Sequence, residues 1–226
     1  GALVLTDGSD ADGESVSAAG SGDVRIASSA SSVTVDADVN GGSGNVTLSA
    51  QTSIAQNEDV FTTGGTLDLV AVTDAITMDA DAESRTNGGD VRYSAATSVT
   101  VQLIDARTDA DRGGMATTGQ GTTWGDVSIL AGTGSITESG TDMAVDVYGS
   151  GLRMRAGTDI GGAMNALETT VATLTARAEA GGIFLLESDG VTVDDVTVTV
   201  QRVNADASLT ATVDAVQSDL KTNGAD

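Results

Sequence analysis

The sequence predicts an all-β protein: a parallel β-helix (β-solenoid) of about nine coils with two longer loop insertions, at about 107–124 and 188–206. Three observations predict it. A short strand pattern returns at nearly constant spacing. A second short strand follows each first one at a nearly fixed distance. The composition suits thin stacked layers better than one large core: aromatic residues are 2%, Gly counts 29, and Pro, Cys and His are absent.

The first pattern is Gly, a polar residue, then apolar-x-apolar, often closing on Ala. It reads Gly22-Asp23-Val24-Arg25-Ile26, Gly44-Asn45-Val46-Thr47-Leu48-Ser49-Ala50, Gly65-Thr66-Leu67-Asp68-Leu69-Val70-Ala71 and Gly89-Asp90-Val91-Arg92-Tyr93-Ser94-Ala95. Gly125-Asp126-Val127-Ser128-Ile129-Leu130-Ala131 and the weaker Gly151-Leu152-Arg153-Met154-Arg155-Ala156 follow, with degenerate copies around Leu174 and Leu209. Gly1-Ala2-Leu3-Val4-Leu5 reads as a further copy. Most units lie 21 to 25 residues apart, and the two long intervals, 36 and 35, mark the insertions.

The second strand is small-apolar-Thr-apolar. Val33 comes nine residues after Val24, Ile54 eight after Val46, Ile76 nine after Leu67, Val99 eight after Val91 and Ile136 nine after Val127. Period-2 alternation puts one face in and one face out. Turns rich in Gly, Ser, Asn and Asp separate the strands. One such unit cannot bury its apolar face alone, whereas stacking makes a continuous core of Val, Ile, Leu and Ala ladders. At about 4.8 Å per coil the rod would be on the order of 40 Å long. The Gly before each first strand marks a corner with close backbone approach or positive φ. The second insertion carries its own alternating strand, Val196–Val200, which also fits an irregular extra coil. The competing fold, a pair of immunoglobulin-like sandwiches, has neither its Cys-Trp-Cys signature nor a place for the short period.

Composition also excludes chemistry. Without Cys or His there is no thiolate, no sulfur-ligated metal and no Ser-His-Asp triad. The net charge of −23 lacks the basic footprint that nucleic acid or an anionic membrane surface needs. No apolar run is long enough to span a bilayer. The first residues carry no signal peptide and no initiator Met, so the chain reads as an internal piece of a longer protein. Its ends match in spacing, so all of 1–226 reads as one unit, a single period of a longer tandem array.

The phrases Gly125-Asp126-Val127-Ser128-Ile129 and Gly134-Ser135-Ile136-Thr137-Glu138 resemble the strand-turn-strand units of filamentous haemagglutinin-like and other giant bacterial tandem-repeat surface proteins. The resemblance covers nearly the whole chain at the level of pattern. It implies a right-handed parallel β-helix, an extracellular place on the cell surface or in a secreted filament, and a non-enzymatic role as the shaft of an adhesin or filament. Its partners would be adjacent copies of the same repeat and surface glycans. The strong acidity and the two insertions depart from the usual shaft. A glycan-binding adhesin segment is the alternative function, and a polysaccharide-active β-helix enzyme the third.

Four Asp-Ala-Asp pairs are the candidate metal ligands: Asp10/Asp12, Asp36/Asp38, Asp79/Asp81 and Asp109/Asp111. Acids two apart in an extended segment point the same way, so each pair could offer two carboxylates to one Ca²⁺; the plainer reading is an acidic, solvated turn. Trp124, at the end of the first insertion, is the candidate ligand or partner contact, or else an anchor of its loop. Arg25, Arg92 and Arg153 fall at one outward position of the first strands and would form a broken Arg line along the rod. No residue is assigned a catalytic or cofactor-binding role.

Overall fold

The computed structural model describes residues 1–10, 12–113 and 118–224. The chain is a parallel β-solenoid of about 8 turns, nearly all β, with one short helix among the described residues, Asp109–Arg112. First strands stack as one column: Val24–Ser28, Val46–Ala50, Leu67–Ala71, Val91–Ala95, Val127–Ala131 and the second halves of Val147–Ala156 and Leu167–Ala178. Second strands form a six-stranded parallel sheet: Leu3–Leu5, Val33–Val35, Ile54–Gln56, Ile76–Met78, Val99–Val101 and Ile136–Glu138. Bridges at Ile160 and Ile183 continue that column.

Each coil also has a third strand, where the sequence reads only as turn. It comprises Glu14–Ser17, Asp38–Asn40, Val60–Phe61, Glu83–Arg85, Leu103–Asp105, the first halves of Val147–Ala156 and Leu167–Ala178, and Leu185–Glu187. Most of these strands are so short that they place a single residue inward, such as Val39, Val60, Ser84 or Ile104. One inward residue among polar ones gives no readable alternation.

The register fixes what each column buries. Val46, Leu67, Val91, Val127 and Leu152 align in one core ladder. Leu48, Leu69, Tyr93, Ile129 and Met154 align in the next, and Ala50, Ala71, Ala95, Ala131 and Ala156 close the strand. All are fully or almost fully buried. The cross-section stays constant, so each coil presents the same apolar face to the next, at roughly 1.5–3 kcal/mol per large aliphatic side chain.

The repeated Gly is explained by stacking distance. A Cβ on Gly44 would lie 2.2 Å from the Gly22 carbonyl oxygen, on Gly65 2.0 Å from that of Gly44, and on Gly125 2.1 Å from that of Gly89. Only a residue without Cβ lets successive corners approach so closely. The polar residue after it also has a fixed task. Asp23 accepts the backbone N–H of Asn45 (2.8 Å), Asn45 that of Thr66 (3.0 Å), Asp90 that of Asp126 (2.8 Å) and Asp126 that of Gly151 (2.7 Å). Each satisfies a corner donor on the coil above, which would otherwise lack a partner.

Two expected copies sit elsewhere. Leu3–Leu5 pairs with Val33–Val35, so it belongs to the second-strand column. Apolar-x-apolar is common to both columns, and only pairing separates them. The copy around Leu209 is no coil strand: Leu209–Gln217 pairs antiparallel with Val196–Val203. This hairpin turns at Asn204–Ser208 and lies back along the stack over the outer face of the first strands. The second insertion therefore extends past residue 206, and Leu220–Thr222 then rejoins the first-strand column beside Ala176–Ala178.

Candidate functional site

The four Asp-Ala-Asp pairs go to different surroundings. Asp10 and Asp12 converge with Asp7, with carboxylate oxygens of all three within 4.8 Å of one another on the open surface; Ala11 between them lies outside the described residues. Asp36 accepts the Asn57 Nδ2 (2.6 Å) and Asp38 the backbone N–H of Asp59 (3.1 Å). Asp79 accepts the N–H of Ala80 (2.7 Å), and Asp81 is exposed. Asp109 and Asp111 stand in the short helix, where Asp109 pairs with Arg112 and Asp111 accepts Thr108 Oγ1 (2.9 Å) and Trp124 Nε1 (2.7 Å). Hydrogen bonding from Trp124 and Thr108 holds the Asp111 carboxyl below its usual range. Among the described residues, the four pairs do not gather into one shared site.

Trp124 is 5% exposed and meets Tyr148 edge-on at 6.4 Å between ring centroids. Arg107 lies over the other partner of that pair, 3.6 Å from the Tyr148 ring centre, and is bound by Asp105. The indole therefore pins the first insertion to the shaft, with most of its surface buried. Residues 114–117 of that insertion lie outside the described residues.

The outward positions of the first strands are covered. Thr47, Asp68 and Ser128 are 0–2% exposed and Arg92 and Arg153 9%, beneath the hairpin. Asp68 receives Arg92 Nη1 (3.1 Å) and Arg202 Nε (2.7 Å). Asp214 receives Arg92 Nε (3.0 Å) and Ser128 Oγ (2.6 Å), and Arg153 Nε donates to the Ala215 carbonyl (2.9 Å). The hairpin buries Val196, Val198, Val200 and Val203 against the sheet. The Arg line thus holds the hairpin down, except at Arg25, which stays exposed.

Past the hairpin's end a cleft of about 390 Å³ opens, lined by Arg153, Arg155, Arg177, Lys221, Gln217 and Asp219, among other residues. Four of the chain's ten basic residues meet there. Glu179 binds both Arg155 (2.9 Å) and Arg177 (2.9 Å) at its edge.

A third group of acids is buried. Glu138, Asp146 and Glu168 are 8%, 4% and 7% exposed, and carboxylate oxygens of the three lie within 4.8 Å of one another. Glu138 ends a second strand in the inward column that holds Val35, Gln56, Met78 and Val101 in other coils. Asp146, just before Val147–Ala156, and Glu168, second in Leu167–Ala178, are neighbours on successive coils: Asp146 N–H donates to the Glu168 carbonyl (2.9 Å) and Glu168 N–H to Asp146 Oδ2 (2.8 Å). Glu138 Oε1 and Glu168 Oε2 have no hydrogen-bond partner, and among the described residues no Arg or Lys pairs with any of the three. Burial, reinforced by the neighbouring carboxylates, pushes Asp146 up to about 8 and also raises Glu138.

The sequence reading missed this trio. Its one signal is Glu138 itself: it takes the final apolar place in Ile136-Thr137-Glu138, where the pattern calls for a core residue. Asp146 and Glu168 look like ordinary turn acids until the register sets them beside it. Compared with protein-family models, curated proteins and solved structures, the chain matches none.

Proposed function

We propose that this chain is an extracellular structural repeat, a shaft segment of a bacterial surface adhesin or filament of the filamentous haemagglutinin-like kind, stacking end to end with neighbouring copies. One observation carries the reading: the sheets run parallel through every coil and present pairing-competent edges at both ends. Among the described residues, Leu3–Leu5, Glu14–Ser17 and Val24–Ser28 pair on one side only, as do Leu185–Glu187, Thr192–Val193 and Leu220–Thr222 at the other end. A row of free backbone N–H and C=O groups is a template for a strand of the same geometry. A further coil of this repeat has that geometry, and the −23 charge opposes lateral association of rods. Electron microscopy of the chain and of a two-copy concatemer tests it. One unbroken rod of doubled length is expected; separate compact beads would refute continuous stacking.

The basic cleft favours a second reading, a glycan-binding adhesin segment. Four cations concentrated on an acidic rod suit a carboxylated or sulfated glycan. Arg155→Ala with Arg177→Ala should then abolish binding to an acidic glycan array and leave the rod intact; an array without binding to the wild-type chain removes this reading.

A further inference from the structure

We propose that Glu138, Asp146 and Glu168 form a buried site for one hard divalent cation of calcium's class, clamping two neighbouring coils at their corner. Glu138 occupies a column where other coils put Val35, Gln56, Met78 or Val101, and the carboxylates of Asp146 and Glu168 converge on it. A buried carboxylate without a partner is strongly unfavourable, and here three face one another with no Arg or Lys among the described residues to neutralise them. Two of their oxygens, Glu138 Oε1 and Glu168 Oε2, are buried and unpartnered within the cluster. That is the arrangement a cation would complete.

The donor set selects the ion. All side-chain donors are carboxylate oxygens, and the chain contains no His or Cys, so soft and borderline metals have nothing to prefer. Glu138 and Glu168 lie in two strands and Asp146 stands just before a third, and residues 139–145, a longer connection than those at the same corner of the earlier coils, join Glu138 to Asp146. Asn165 Nδ2 donates to the Gly140 carbonyl (3.1 Å), and Gln102 and Asp142 lie against Gly140, so further oxygens are at hand. An irregular set of oxygens suits calcium better than magnesium, which demands near-octahedral geometry. Because Glu138 and Asp146 belong to one coil and Glu168 to the next, the ion would tie the two together. The site is distinct from the open Asp7, Asp10 and Asp12 group at the other end of the chain.

The test uses the full chain freed of metal by chelation, with Ca²⁺, Mg²⁺ and Mn²⁺ titrated by calorimetry and by thermal melting. Saturating Ca²⁺ should raise Tm by about 5–10 °C. The Asp10→Asn/Asp12→Asn variant should respond equally. Glu138→Gln and Glu168→Gln should each weaken binding tenfold or more and lose the Tm response while staying folded. Glu138→Val restores the residue of neighbouring coils, so it should fold without metal and show no response. The proposal is overturned if none of the three ions gives heat or a Tm shift. It is equally overturned if the response survives in Glu138→Val, or vanishes in Asp10→Asn/Asp12→Asn.

Discussion

Adding one methyl group at a corner glycine should separate stacking from every other role of that residue. In Gly65→Ala the new Cβ would lie 2.0 Å from the Gly44 carbonyl oxygen, 2.4 Å from its carbonyl carbon and 2.7 Å from Asn45 N, all backbone atoms. Ordinary van der Waals contact begins near 3.4 Å, so the two coils must part by about 1 Å or more at that corner. The bonds that close it are Thr66 N–H to Asn45 Oδ1 (3.0 Å), Val46 N–H to the Thr66 carbonyl (2.9 Å) and Thr62 Oγ1 to the Gly44 carbonyl (2.7 Å). Weakening all three, at about 0.5–1.5 kcal/mol each, costs about 1.5–4.5 kcal/mol. For a chain of this size that lowers Tm by roughly 5–15 °C. Gly22→Ala is the control, because its Cβ meets nothing within 4 Å. It should be neutral or slightly stabilising in the single chain, by up to about 1 kcal/mol. Thermal melts and urea titrations of the two variants give the comparison. Equal stability of both variants would refute the stacking account of the glycine ladder. In a concatemer, end-to-end stacking puts a preceding coil over Gly22 of the second copy, so the same substitution should become costly there alone.

Other perturbations address the hairpin, pH and the first insertion. Asp68→Ala leaves Arg92 and Arg202 without their shared buried carboxylate and should cost about 3–5 kcal/mol, with hydrogen exchange rising across 196–217 before the coils; unchanged exchange there would rule out the clamp. Burial, and then the charge of Asp90, push Asp126 up to about 6 from an ordinary 3.8. The folded state therefore holds that proton more tightly, and the contribution is full below about pH 4 and lost as pH rises through about 6. Asp126→Asn should remove on the order of 2 kcal/mol of pH dependence over that window in denaturant titrations; an unaltered pH slope would disprove the assignment. Trp124→Ala should cost about 3–5 kcal/mol and loosen 107–124 in hydrogen exchange while the coil strands stay protected; loss of protection throughout would make Trp124 part of the common core.

The repeat, the parallel stacking and the first- and second-strand core columns are legible in the sequence, because Val46-Thr47-Leu48-Ser49-Ala50 and its copies state a period-2 strand and a coil length together. It also carried Tyr93 and the alanines to their inward places, since alternation alone decides which face is buried. Three matters rest on packing between coils. Most third strands are too short to alternate. The copy around Leu209 has the same local pattern as a coil strand, and its partner is Val196–Val203 because Arg92, Arg153 and Asp68 need a cover that carries Asp214 and Arg202. The acids of the buried trio lie 8 and 22 residues apart in the chain, and only the stacking of one coil on the next brings their carboxylates together. Local pattern is written residue by residue, whereas a site assembled across coils depends on register, and register is a property of the packed helix.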